Sequence, residues 1–244
     1  LSKSDLDLVA EKERVESAYR NRSRVGPSES KYFGYQDARH LMRVQERHRM
    51  TLKLLDEFGL RRLEELRILD VGCGEGPLLR QFLLWGANAD NLAGLELRSD
   101  AVERARQTLP NVDLRIGSAA QLPWEQGRFD IVCQHTMFTS ILDAKIKQSV
   151  AAEMTRVLSP AGIILWYDFM YDNPRNPDVK GVNKHEIHAL FPDHQITLRR
   201  ITLAPPISRK IPIRLLSVLY PLLASLAPLR THYLGIFQPQ TPTS

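Results

Sequence analysis

The sequence predicts a doubly wound α/β domain, a mostly parallel sheet with helices on both faces. Three observations predict it. Short apolar runs lack the in–out alternation of half-exposed strands, helical-period segments separate them, and a glycine-rich turn closes the first run. Strand and helix in alternation return each strand to the same sheet by right-handed crossovers.

The elements follow in order. A charged helix is expected from Asp5 to about Arg20, with Ser4 as N-cap and Asp7 three residues on. Asn21 to Ser30 reads as a polar hinge containing Gly26 and Pro27. A second helix is expected from Asp37 to Phe58, with Leu41, Val44, His48, Leu52 and Leu55 on one face and Gly59 ending it. The first strand is Arg67–Val71, followed by a helix over Pro77–Trp85. Leu92–Leu97 is the second strand, Asp100–Leu109 the next helix, and Val112–Ile116 the third strand. Phe129–Gln134 and Gly162–Asp168 are the fourth and fifth strands, flanking a helix over Asp143–Leu158. Gln195–Leu203 and Thr231–Phe237 make seven strands, with an apolar, proline-marked insertion at 205–229 between them. The expected organisation is an N-terminal helical cap over 1–63 and a core over 64–244 that carries the 205–229 insertion.

Composition narrows the class. With 244 residues, 43% of them hydrophobic and 25% charged, the chain can bury the core of one large domain. The net charge of +5 is distributed unevenly. No acidic residue follows Asp193, whereas Arg199, Arg200, Arg209, Lys210, Arg214 and Arg230 do. No appended basic domain or stacking-rich aromatic strand points to nucleic acid. Two cysteines, Cys73 and Cys133, make no disulfide framework or zinc site and suit a reducing, cytoplasmic setting. Leu215–Leu229 is too short to span a bilayer and contains Pro221 and Pro228.

The chemistry lies in Asp70-Val71-Gly72-Cys73-Gly74-Glu75-Gly76, at the end of the first strand and the start of a helix. Glycines let backbone N–H groups approach a ligand without side-chain obstruction. The spacing is GxGxG, not the GxGxxG of dinucleotide sites, and an acid stands two residues before the first glycine. A pyrophosphate is repelled by such a carboxylate, whereas a ligand with sulfonium and ammonium groups is attracted.

On these motifs the chain resembles the class I S-adenosylmethionine-dependent methyltransferases, from about Leu66 to Phe237. The resemblance implies a Rossmann-like sheet of seven strands with an antiparallel last strand. It implies that Asp70, Gly72 and Gly74 hold the methionine part of S-adenosylmethionine, Glu96 the ribose hydroxyls, and Leu97 the adenine. After the third strand the family has an acid beside a small residue; here Ser118-Ala119 stand there, so the adenine contact falls to a hydroxyl or the backbone. Gln134 and His135 come at the carboxyl end of the fourth strand, where such sheets bind ligands. Tyr167-Asp168-Phe169, Asn173–Pro177 and Thr231–Gly235 resemble, more narrowly, a bacterial subgroup of small-molecule or glycan biosynthesis.

His135 and Asp168 are the candidate catalytic residues. A neutral His135 would take a proton from an acceptor hydroxyl or amine; its alternative is a rim histidine satisfied by a carbonyl. Asp168 would act as base or orient the acceptor; its alternative is a cap on the Asn-Pro loop. Cys73 reads as packing, and His185 and His188 as surface residues without metal partners. Arg39, Arg43 and Arg47 at i, i+4 spacing ordinarily form a solvated face, though one of them, Arg43, is a candidate for the cofactor carboxylate or an anionic acceptor. Tyr32, in the hinge, is a candidate lid over the cofactor, with packing as the alternative. The resemblance implies that the helical insertion caps the acceptor pocket, since insertions at this place in the family shape the acceptor site. Packing on the core and lying on a membrane are the alternatives, and a lipid-linked acceptor would make cap and membrane compatible. The function expected is methyl transfer to a small-molecule or glycan acceptor. A nicotinamide-dependent reductase and a non-catalytic cofactor-binding module are the alternatives.

Overall fold

A computed structural model of the protein describes residues 10–18 and 37–240, apart from positions 12 and 175. The expected hinge, Ser4 and Tyr32 lie outside the described residues. Helix α1 covers 10–18 and α2 covers Ala38–Glu57. The core then runs β1 (Ile68–Val71), α3 (Pro77–Leu84), β2 (Leu92–Glu96), α4 (Ser99–Thr108) and β3 (Asp113–Ile116). It continues with β4 (Phe129–His135), α5 (Ala144–Val157), β5 (Leu158–Phe169), α6 (Lys184–Leu190) and β6 (His194–Leu203). A short turn of helix, α7 (Pro205–Ser208), and α8 (Leu216–Ser225) precede β7 (Arg230–Pro239).

The seven strands are ordered β3-β2-β1-β4-β5-β7-β6. β1 to β5 pair in parallel, while β7 is antiparallel to both β5 and β6. The parallel strands therefore end on one edge of the sheet. Their order reverses between β1 and β4, which opens a crevice at the carboxyl ends of these strands. β6 runs in the direction of β5, so the insertion after Leu203 also leaves from that edge.

The inner strands β1, β2, β4 and β5 are largely buried on both faces, and this is why they do not alternate in polarity, whereas the edge strands β3 and β6 are partly exposed. Ile68, Leu92, Ile131 and Leu165 pack with Leu54, Leu55, Leu79, Phe82 and Val102 of α2, α3 and α4. Leu69, Val71, Val132 and Trp166 pack on the other side with Val150, Met154 and Ile187 of α5 and α6. Gly94 of β2 lies at a close approach in this core, where a Cβ would lie 2.9 Å from Cys73 Sγ, Leu114 Cδ2 and Leu79 Cδ1.

Helix α2 departs from the expected face. Leu52 is 39% exposed, whereas Leu54 is fully buried and so, nearly, are Thr51 and Glu46. The helix is held on two sides, by the sheet and by the insertion, so a single stripe does not describe it. Its arginine row is likewise not a solvated face. Arg39 donates to the Ile211 carbonyl at 2.7 Å, and Arg43 donates to Ser208 Oγ at 3.2 Å. Arg47 lies over the Tyr167 ring, 5.1 Å from its centroid. Glu46 accepts from the Tyr220 hydroxyl at 2.7 Å and from the Thr202 N–H at 3.3 Å, tying α2 to the insertion and β6.

Candidate active site

The loop after β1 owes its shape to its glycines. Gly72 and Gly74 adopt φ of +75° and +56°, a left-handed backbone that residues with a Cβ avoid. The loop is tied to β2, since Gly72 and Cys73 donate to the Leu95 carbonyl at 2.8 and 3.0 Å. Glu96, at the end of β2, accepts from the Gly74 N–H at 2.9 Å and from the Arg98 N–H at 3.0 Å. The acid and the glycine turn are thus held as one unit.

A crevice open to solvent lies over these carboxyl ends. The turns after β1, β2, β3 and β4 line it with Gly72, with Leu95, Glu96 and Leu97, with Gly117, Ser118 and Ala119, and with His135, Thr136 and Met137. Ile141, Ile146 and Val150 make its apolar wall, and Glu11 and Val15 of α1 cover one side. Helix α1 is anchored there by Glu11, which accepts from the Leu142 N–H at 2.7 Å, and by Arg14, which donates to the Ser140 carbonyl. Thr136 has φ of +55°, a strained conformation for a β-branched residue, of the kind that concentrates at functional sites.

Asp70 lies beneath the loop, 2% exposed. Its Oδ1 is buried without a hydrogen-bond partner among the described residues. Burial first, and then the nearby Glu96 carboxylate, push its pKa up to about 8, although Arg47 acts in the opposite sense. The same kind of unpaired atom recurs close by, at Arg47 Nε and at His135 Nε2. Burial, with Arg47 and His48 adding their charge, holds the His135 pKa well below the ordinary imidazole range, so the ring is neutral. His135 stands 5.3 Å from Tyr167, whose ring stacks on His232 at 4.9 Å. Buried atoms left without partners cost free energy unless a ligand satisfies them. An ammonium is the natural complement of Asp70, and an anion that of Arg47.

Of the residues expected at the site, the structure brings Gly72, Glu96, Leu97, Ser118, Ala119 and His135 into one crevice. Gly74 shapes its floor and spends its N–H on Glu96. Gln134 does not reach the crevice; its amide accepts from the Met137 N–H at 3.1 Å and so forms the turn that presents His135. Asp168 is also turned away. Its carboxylate accepts from the Thr139 N–H at 3.2 Å and the Phe169 N–H at 2.8 Å, and burial raises its pKa to about 7. It caps neighbouring backbone, though at the 138–140 turn and not in the Asn-Pro loop. Arg43 points to the insertion. Sequence reasoning missed Arg47, Glu11 and Met137. Arg47 was visible as the third member of the arginine row, but only the packing of α2 on β5 singles it out.

Fold and crevice together have the form found in class I S-adenosylmethionine-dependent methyltransferases. Residues 68–162 match the family model described as "Methyltransferase domain". The chain is 26% identical over 110 residues to the ubiquinone/menaquinone biosynthesis C-methyltransferase UbiE of Campylobacter jejuni, covering 43% of this chain and 46% of that protein. It is 30% identical over 128 residues to a glycine/sarcosine/dimethylglycine N-methyltransferase of Actinopolyspora halophila, covering 51% of this chain and 22% of that protein. The chain thus spans less than half the length of either relative. Among solved structures, the fold matches Haemonchus contortus phosphoethanolamine N-methyltransferase 1, in complex with phosphoethanolamine and S-adenosylhomocysteine. The TM-score is 0.63 at 12% identity, over 96% of this chain and 50% of that one, a likeness of fold alone. S-adenosylmethionine is the cofactor of this class, and the donor set fits it: a carboxylate awaiting an ammonium, a carboxylate at the neighbouring strand end, and an apolar wall.

Proposed function

We propose that the protein transfers a methyl group from S-adenosylmethionine to the oxygen or nitrogen of a small-molecule or glycan acceptor. The single observation that carries this reading is the buried, unpartnered Asp70 carboxyl beneath a left-handed glycine loop, beside a Glu96 that lines the crevice. Asp70 would hold the ammonium of the methionine part and Arg47 its carboxylate, a pairing of opposite charges suited to a zwitterion. Glu96 would accept from the ribose hydroxyls. Leu97 and Ala119, with Ile141, would enclose the adenine, and Ser118 would stand at its edge.

When bound, the cofactor supplies an electrophilic methyl on a sulfonium sulfur that departs as a neutral thioether. The protein's work is then alignment and exclusion of water. The neutral His135 Nε2 would accept a hydrogen bond from the acceptor's O–H or N–H. A methylated hydroxyl oxygen is a strongly acidic oxonium, so a weakly basic imidazole suffices to take its proton once the new bond has formed, whereas a methylated amine would leave as the ammonium and lose its proton to water. The stretch that matches the family model, residues 68–162, would supply most of the donor half of the site. The acceptor half would be built from α2, the ends of β4 and β5, and the 205–229 insertion.

Incubation of the protein with isotope-labelled donor and metabolite extracts, followed by mass spectrometry, tests the activity. Calorimetry with S-adenosylhomocysteine tests the donor site. Glu96→Ala should weaken binding about ten- to a hundredfold, as for loss of charge-assisted hydrogen bonds of about 1.5–3 kcal/mol. Unchanged affinity in that variant, with the parent binding tightly, would remove Glu96 from the site.

A further inference from the structure

Ten large apolar residues are exposed in the described part of the chain, and five of them fall between 213 and 226. Ile213, Leu215, Val218, Leu222 and Leu226 are 44% to 65% exposed. Val218 and Leu222, at i and i+4, form one stripe along α8, and Leu226 follows at its C-cap. The opposite stripe, Leu216, Tyr220 and Ala224, is what holds the helix down, packed with Leu203, Ile211 and Met42. Helix α8 is therefore apolar on both sides, and only one side is used by the fold.

Cations precede the unused side. Arg209, Lys210 and Arg214 are exposed at its start, and no acidic residue follows Asp193 to the end of the chain. An apolar ridge next to cations, with no acid to repel a negative surface, has the chemistry of a helix lying in a lipid interface. No described helix is long and apolar enough to cross a membrane, so the ridge would lie on a bilayer and not through it. A second copy of the chain fits less well, since a two-fold contact would bring the like charges of both ridges together.

We infer that the segment 209–226 docks the protein on an anionic lipid bilayer, with the α8 stripe entering the acyl boundary and the basic cluster facing the headgroups. The segment leaves β6 at the edge where β1, β4 and β5 end, so docking turns the crevice side of the sheet toward the membrane. The inference does not depend on the proposed reaction.

Flotation with vesicles of phosphatidylcholine and phosphatidylglycerol in equal parts, against pure phosphatidylcholine, tests it. The parent protein should float with the anionic vesicles and little with the neutral ones. Lys210→Gln with Arg214→Gln should lower the affinity about thirty-fold (about 2 kcal/mol at 1.4 kcal/mol per tenfold). Val218→Ser with Leu222→Ser should abolish flotation without moving the thermal midpoint, because both side chains are exposed. Three results would overturn the inference. They are absence of flotation of the parent, binding by the Val218/Leu222 variant equal to the parent's, and a dimer in sedimentation that this variant dissociates while the parent ignores vesicles.

Discussion

Replacing Asp70 by Asn tests the electrostatics on which the donor site rests. The carboxyl is buried and its pKa is raised from 3.8 to about 8. A raised carboxyl pKa means that the native state binds a proton the unfolded chain releases. Below pH 4 both states are protonated and nothing is lost. Between pH 4 and 8 the unfolded chain ionises first, so stability falls by about 1.4 kcal/mol per pH unit. Above about 8 both are ionised and the loss stops growing. From pH 5 to pH 7 the parent should therefore lose about 3 kcal/mol that Asp70→Asn, which cannot ionise, retains. Urea denaturation of both proteins at the two pH values, without ligand, measures the difference. Ligand binding should show the other side of the same balance. If an ammonium meets Asp70, S-adenosylhomocysteine should release about one proton at pH 7 from the parent and none from Asp70→Asn, read as a buffer-dependent heat. A stability gap between the two proteins that is the same at pH 5 and pH 7 would refute the reasoning, because Asp70 would then not be held protonated.

Two further outcomes are expected. His135→Ala should lower the single-turnover methyl-transfer rate about a hundredfold while leaving S-adenosylhomocysteine affinity within a few-fold, since the imidazole serves the acceptor and not the donor. Gly94→Ala should destabilise the protein by about 1–3 kcal/mol in urea denaturation, because a Cβ there meets Cys73, Leu79 and Leu114 in a packed core.

Much of this protein could be read from its sequence, for a local reason. A strand buried on both faces must be aliphatic throughout, so Arg67–Val71 and Phe129–Gln134 announce themselves, and observed strands overlap every expected one. A left-handed turn requires glycine, so Gly72 and Gly74 mark the loop, and the spacing to Glu96 follows from one strand–helix–strand unit. Gly72, Glu96, Leu97, Ser118, Ala119 and His135 were within reach because each stands just after a parallel strand, and all such ends share one edge.

Side-chain direction was not legible, because it depends on contacts far apart in the chain. Asp168 and Gln134 stand at strand ends like His135, yet both spend their polar atoms on nearby backbone. Arg39, Arg43 and Arg47 look alike in sequence, but the insertion takes the first two and leaves the third over Tyr167. The same packing sets Glu46 against Tyr220 and exposes Leu52. The sequence by itself determined where the backbone turns and which faces must be covered. Only tertiary structure decided which charged groups are left without a partner beside the crevice, because that is a property of everything packed around them.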